Sequence, residues 1–190
     1  MEITVGIPAY NEEKNISEII KKLQKITNKI IVCDDGSNDS TGKIAKDLGV
    51  TVVQHEKNMG YGSAIRSIFL KARELKSEIL ITLDSDGQHK IEDIQTILEP
   101  IKNGKADLVI GSRFLNNDGE NVPRYRKAGI KVLTKLANTS LEQNITDSQS
   151  GFRGYGKRVI DEITPVESGM GVSNEILIKT SKKGFKIVEV

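Results

Sequence analysis

Short apolar runs alternate along this chain with segments whose apolar residues recur at helical spacing, and few architectures accommodate that alternation. Ile3–Ile7, Lys29–Cys33, Val50–Gln54, Ile79–Leu83 and Leu108–Ile110 read as strands. Between them lie two helical series: Ile16, Ile19, Ile20, Leu23 and Ile26, then Ala64, Ile65, Ile68, Phe69, Ala72 and Leu75. Ile94, Ile97, Leu98 and Ile101 mark another helix, and a short one is expected between Ser40 and Gly49, where the glycine would end it. The central strands are apolar throughout, as in a sheet covered on both faces. The predicted fold class is therefore α/β, a mostly parallel central sheet flanked by helices.

The pattern loosens after about residue 112. Residues 116–125 are polar and read as a loop, and Ile130, Leu133, Leu136 and Ala137 suggest a helix. Lys127, Lys131 and Lys135 fall on one stripe of that helix. Residues 147–156, with three glycines, read as a second loop cluster. Ile176, Leu177 and Thr180 suggest a last helix, and Phe185–Val190 a last strand.

With 190 residues the chain has room for one domain with a sizeable core, expected to span 1–190. A formal net charge of +2 makes no global field for nucleic acid, and 4% aromatic residues without tryptophan argue against a base-stacking platform. No nucleic-acid partner is expected. Cys33 is the single cysteine, which excludes an internal disulfide and fits a reducing compartment; it reads as a buried core residue. No apolar run reaches the roughly 18 residues of a membrane span. A strand begins almost at the N-terminus, so no signal peptide is expected, and the predicted location is cytoplasmic.

In open parallel sheets, ligands bind beyond the carboxyl ends of strands. The unusual residues of this chain lie there: Pro8-Ala9-Tyr10-Asn11-Glu12, Asp34-Asp35-Gly36-Ser37 and Asp84-Ser85-Asp86. Asp84 and Asp86 are two apart, so in extended backbone they point to one side. With Gln88 nearby they form a hard-oxygen set suited to Mg²⁺ or Mn²⁺, ions that clamp a diphosphate. The same residues also compose an ordinary turn after a strand. Of the second group, Asp35 is read as a ligand and Asp39 or Ser40 as the cap of the following helix.

Other chemistries are poorly served. Asn58-Met59-Gly60-Tyr61-Gly62 lacks the third glycine of a dinucleotide fingerprint and reads as a helix-start turn. With only His55 and His89, and no G-x-S-x-G elbow, a hydrolase triad is unsupported. His89 beside the acids suits either an ion or phosphate contact or an exposed loop. Cations are needed to balance a diphosphate. Arg113 follows a buried strand at the same edge as the acids, and Arg124, Arg126 and Arg153 lie in the later loop clusters.

Pro8-Ala9-Tyr10-Asn11-Glu12, Asp34-Asp35-Gly36-Ser37, Asp84-x-Asp86-x-Gln88, Gly111-Ser112-Arg113 and Ser150-Gly151-Phe152-Arg153 occur in the order seen in family 2 glycosyltransferases. The chain resembles the polyprenyl-phosphate hexose synthase branch, which includes dolichyl-phosphate mannose and glucose synthases. The resemblance implies a GT-A fold and inverting transfer of a hexose or N-acetylhexosamine from a UDP- or GDP-sugar to a polyprenyl phosphate at a membrane surface. It implies that Pro8, Ala9, Tyr10, Glu12 and Asp35 hold the nucleoside and that Asp84 lies near the ribose and diphosphate, with Ser85 among the substrate-binding residues. It places Mg²⁺ or Mn²⁺ on Asp84, Asp86 and Gln88, and a phosphate on Arg113, with Arg126 a second such arginine. The catalytic group is then Asp84, Asp86 and Arg113.

A phosphate acceptor is already ionised, so the transfer needs no general base; a carbohydrate hydroxyl would need one. Asp147 is the candidate base, which keeps the hydroxyl acceptor open. Family members usually continue past the last strand with a basic segment and often membrane helices. A truncated or catalytically silent nucleotide-sugar-binding domain is therefore a further alternative.

Overall fold

The computed structural model describes residues 2–85, 91–115, 123–141 and 144–190, with the side chains of Arg124 and Arg126 outside that description. Asp86, Gln88 and His89 lie outside the described residues.

The strands are β1 (Ile3–Ala9), β2 (Lys29–Asp34), β3 (Thr51–Gln54), β4 (Ile79–Thr82), β5 (Leu108–Ile110), β6 (Arg153–Gly156) and β7 (Ile187–Glu189). The helices are α1 (Ile16–Leu23), α2 (Thr41–Asp47), α3 (Tyr61–Glu74), α4 (Ile94–Lys102), α5 (Arg124–Asn138), α6 (Lys157–Glu162) and α7 (Val172–Lys182). Among the described residues these seven strands form one sheet in the order β3-β2-β1-β4-β6-β5-β7. β3, β2, β1 and β4 pair in parallel, as do β5 and β7, while β6 runs antiparallel to both β4 and β5. This is the expected mostly parallel sheet, and the carboxyl ends of β1, β2, β4 and β5 lie along one edge.

The strands alternate their burial between two cores because successive side chains point to opposite faces. Val5, Ile7, Ile30, Val32, Ile79 and Ile81 pack with α1 and α4. Ile31, Cys33, Leu80, Leu108 and Ile110 pack with α3, α6 and α7. On the second face β1 offers Gly6, where a Cβ would stand 2.3 Å from Ile68 Cγ2. That absence lets α3 lie close against the centre of the sheet.

Two expectations are corrected. Residues 147–156 are not wholly a loop: their last four, Arg153–Gly156, are a strand inside the sheet. Arg-Gly-Tyr-Gly carries none of the β-branched residues that mark a strand. Its glycines serve packing instead, since a Cβ at Gly154 would meet Ile97 Cγ2 at 2.5 Å and Ile101 Cδ1 at 2.9 Å. α4 therefore rests directly on the β6 backbone. In α5, Ile130 and Ala137 are buried as expected, but Leu133 and Leu136 face outward.

Candidate active site

The loops after β1 and β2 are stitched together. Asn11, with φ 56°, donates its N–H to Ser37 Oγ at 2.9 Å, and its side-chain oxygen accepts from Asn38 N at 2.9 Å. Asparagine tolerates this left-handed conformation better than most residues. Ser40 is the N-cap of α2 and makes no side-chain cap bond; Asp39 before it accepts from Thr41 N through Oδ1 at 2.9 Å and from Glu13 N through Oδ2 at 3.1 Å. Pro8 and Ala9 are buried in β1, opposite Cys33 and Asp34 of β2. Tyr10 is 42% exposed just past the strand, and the Glu12 carboxylate accepts from Asn15 Nδ2 at 2.8 Å.

The paired acids after β2 divide their work. Asp34 turns back into its own loop, its Oδ1 accepting from Ser37 N at 3.0 Å and its Oδ2 from Gln54 Nε2 at 3.3 Å. Asp35 reaches across to the turn before α3. Its Oδ1 accepts from Met59 N and its Oδ2 from Gly60 N, both at 2.9 Å, and His55 Nδ1 lies 2.6 Å from Oδ1. Gly36, at φ 72°, makes the approach possible: a Cβ there would stand 2.3 Å from the Lys57 carbonyl carbon. The 58–62 turn is, as read from sequence, a helix start. Gly60 at φ 95° precedes Tyr61, and Gly62 lies so near the chain that a Cβ would meet Glu167 O at 2.2 Å.

Asp84 follows β4. Its Oδ1 accepts from the Tyr61 hydroxyl at 3.3 Å. Burial, then the charge of Asp84, push the Tyr61 hydroxyl well above its ordinary pKa, so it remains a neutral donor. On the other side Gly151 lies against the same carboxylate, a Cβ there meeting Oδ1 at 2.3 Å and Oδ2 at 2.5 Å. Ser85 is buried beside it. Asp84 thus sets its two hard oxygens in the space that the missing Cβ of Gly151 leaves. That fits a divalent cation, with Asp86 and Gln88 as the other expected ligands. Among the described residues alone there is no cluster of three or more metal-ligating acids, histidines or cysteines.

The segment 150–152 bridges β4 to β5. Gly151 O accepts from Thr82 Oγ1 at 2.9 Å, Gly111 O from Ser150 Oγ at 2.7 Å, and Phe152 O from Gly111 N at 2.9 Å. Arg113, just beyond β5, is held by Asp147: Nε to Oδ2 at 2.7 Å and Nη2 to Oδ1 at 2.9 Å. Asp147 is fully buried and also accepts from Gln149 N at 3.2 Å. Arg153, counted in sequence among the cations for a diphosphate, is instead 1% exposed and donates to the carbonyls of Ser150, Ser173 and Ser148. It locks the bridge rather than meeting a ligand. Arg126 belongs to α5 rather than to a loop.

The structure thus brings Pro8–Glu12, Asp35, Asp84, Ser85 and Arg113 to one sheet edge. Sequence reasoning gave no role to Tyr61, Gly151 or His55, although Tyr61 lies in the Asn58–Gly62 turn and Gly151 in the Ser150–Arg153 motif.

Residues 4–164 match the family described as Glycosyl transferase family 2. A UDP-N-acetylglucosamine–dolichyl-phosphate N-acetylglucosaminyltransferase of Methanococcus voltae is 37% identical over 97% of this chain and 82% of its own length. A dolichol-phosphate mannosyltransferase of Pyrococcus furiosus is 36% identical over all of this chain and 55% of its own length. The same GT-A fold occurs in glucosyl-3-phosphoglycerate synthase from Mycobacterium tuberculosis, solved with Mn²⁺, UDP-glucose and phosphoglyceric acid. That structure has a TM-score of 0.74 at 24% identity, covering all of this chain and 69% of that one. An α/β sheet of this order, with its acids gathered at the carboxyl edge, and a family match over most of the length lead to one assignment: this chain is a glycosyltransferase and belongs to glycosyl transferase family 2.

Proposed function

We propose that the chain transfers a hexose or N-acetylhexosamine from a UDP- or GDP-sugar to a polyprenyl phosphate, with inversion and with Mg²⁺ or Mn²⁺ as cofactor. In this reading Pro8, Ala9, Tyr10, Glu12 and Asp35 hold the nucleoside. Asp84, with Asp86 and Gln88, holds the ion; Ser85 lies along the donor; Arg113 and Arg126 meet phosphate. The bound ion supplies charge neutralisation to the departing diphosphate.

One observation favours a phosphate acceptor over a hydroxyl. Asp147, the carboxylate that would have served as general base, is fully buried and committed to Arg113 through both oxygens. A base must reach the proton it removes. An ionised phosphate needs no base, only cationic and hydrogen-bonding groups that offset its repulsion from the donor diphosphate. The relatives named for dolichyl phosphate support the same acceptor class.

The reading includes peripheral attachment at the cytoplasmic face of a membrane. Among the described residues no helix is long and apolar enough to cross one. α5 does expose Tyr125, Val132 and Leu136 alongside Lys131 and Lys135, the composition of a helix that lies on an anionic surface.

The test is transfer from UDP-glucose, UDP-N-acetylglucosamine and GDP-mannose to a detergent-dispersed polyprenyl phosphate, with EDTA and with Mn²⁺ restored, read by mass spectrometry. Product that disappears with EDTA and returns with Mn²⁺ is expected. Transfer to a carbohydrate hydroxyl with none to polyprenyl phosphate overturns the acceptor. Binding of nucleotide with no transfer to either would mark a silent binding domain.

A further inference from the structure

We infer that His55 is a positioning residue for donor binding, the middle of a Ser67–His55–Asp35 relay that orients the Asp35 carboxylate. The inference rests on the reading of Asp35 as a nucleoside ligand and goes beyond it by naming what holds that ligand in place.

The carboxylate sets the direction of the central hydrogen bond. His55 Nδ1 lies 2.6 Å from Asp35 Oδ1, and the two side chains are 10% and 5% exposed. An ionised carboxylate only accepts, so Nδ1 carries the proton. In the neutral ring Nε2 then accepts, and two hydroxyl or thiol groups face it. Ser67 Oγ lies at 2.9 Å and Cys33 Sγ at 3.7 Å. Burial, then the charges of Asp35 and Asp34, push the Cys33 thiol up to about 12, so it too keeps its proton. These contacts hold the imidazole in one orientation and give its neutral form one tautomer, as a ring nitrogen's partner sets the other nitrogen's role.

What the relay orients is the junction between two ends of the site. The Asp35 carboxylate accepts from the N–H groups of Met59 and Gly60, and the next residue, Tyr61, donates to Asp84. A tilt of Asp35 would therefore move both its own free lone pair and the turn that carries the Asp84 partner. Ser67 is on α3 and His55 just past β3, so the relay ties that orientation to two rigid elements. Although serine, histidine and aspartate stand in triad order, the aspartate's second oxygen holds backbone at Gly60, and the geometry serves position.

Three variants separate the possibilities. His55→Leu removes both hydrogen bonds. His55→Asn keeps a donor where Nδ1 stood. Ser67→Ala removes only the far end. With UDP and GDP each titrated calorimetrically in Mn²⁺, His55→Leu should weaken the nucleotide that binds wild type by about tenfold, the scale of one buried bond to a charged group. His55→Asn should recover most of that, and Ser67→Ala should lose roughly twofold to threefold. The donor KM should rise in the same order with kcat little changed. The ¹⁵N shifts of His55 should report a protonated Nδ1 in the unliganded protein.

Wild-type affinity and KM in a folded His55→Leu, or a protonated Nε2 with bare Nδ1, overturns the relay. Should His55→Leu not fold, wild-type affinity in Ser67→Ala overturns it equally. Asp35→Ala distinguishes the layers. Normal nucleotide affinity in that variant overturns the nucleoside reading itself. Lost affinity there with normal affinity in His55→Leu overturns only the role of His55.

Discussion

Gly151 and Asp84 share one space: a Cβ on Gly151 would stand 2.3 Å from one carboxylate oxygen of Asp84 and 2.5 Å from the other. The glycine of the Ser-Gly-Phe-Arg motif is therefore required by an acid in another loop, not by its own turn. Gly151→Ala should push that carboxylate aside. We expect a fold loss of about 1–3 kcal/mol in urea, as for an overpacked buried site. Mn²⁺-dependent nucleotide affinity should fall by about tenfold or more, since ligand groups placed off position lose most of their interaction. Calorimetry on the folded variant checks this, and unchanged affinity would show that Asp84 needs no such clearance.

Tyr61 reaches the same carboxylate from the opposite side with its hydroxyl. Tyr61→Phe keeps the ring and removes only the donor. A single hydrogen bond is worth about 0.5–1.5 kcal/mol, so turnover should fall by roughly threefold to tenfold. The melting temperature should hardly move. A variant as active as wild type would assign Tyr61 to packing alone.

Arg113 and Asp147 form a bidentate pair whose carboxylate is buried. Asp147→Asn keeps the shape but removes the charge that holds the guanidinium. Breaking such a pair costs about 3 kcal/mol or more, which urea denaturation will register. Arg113→Lys should not restore function, because an ammonium cannot make the two-pronged contact. Were Asp147 instead the base for a hydroxyl acceptor, Asp147→Asn would abolish turnover with stability intact. The two outcomes are separable on one purified variant.

Cys33 predicts the alkaline limit of the fold. Its thiol, ordinarily near 9.0, is pushed up to about 12 by burial and by the neighbouring Asp35 and Asp34. Above about pH 9 the unfolded chain loses this proton while the folded chain keeps it. The folded state then binds more protons, so stability falls as pH rises through that window. The slope should approach about 1.4 kcal/mol per pH unit. Urea titrations between about pH 8 and about pH 11 should show a shallower decline in Cys33→Ala, with equal slopes counting against a buried thiol.

The strands and helices of the first half were legible because each carries its own signal. Ile79–Thr82 is apolar at every position but its last, and Ala64, Ile65, Ile68, Phe69 and Ala72 mark one face of α3. The convergence of the Pro8, Asp35 and Asp84 loops followed from parallel pairing, which puts all carboxyl ends together. β6 was not legible. Its glycines are demanded by Ile97 and Ile101 of α4, and nothing local to Arg153–Gly156 announces that. Arg153 looked like a ligand cation for the same reason, since three carbonyls that enclose it come from residues as far away as Ser173.

By itself, then, the sequence determined the class of fold, the edge at which chemistry gathers and the acids placed there, because period and strand-end position are local properties. Tertiary structure decided which groups those acids face. It assigned Asp34 to its own loop and Asp35 to His55 and the 59–60 backbone. It set Asp84 between Tyr61 and Gly151, and gave Asp147 to Arg113. Apart from Asp34 with Ser37, each of these partnerships joins residues far apart in the chain. It exists only where sheet order and close helix packing bring a donor within reach of a carboxylate that burial compels to be paired.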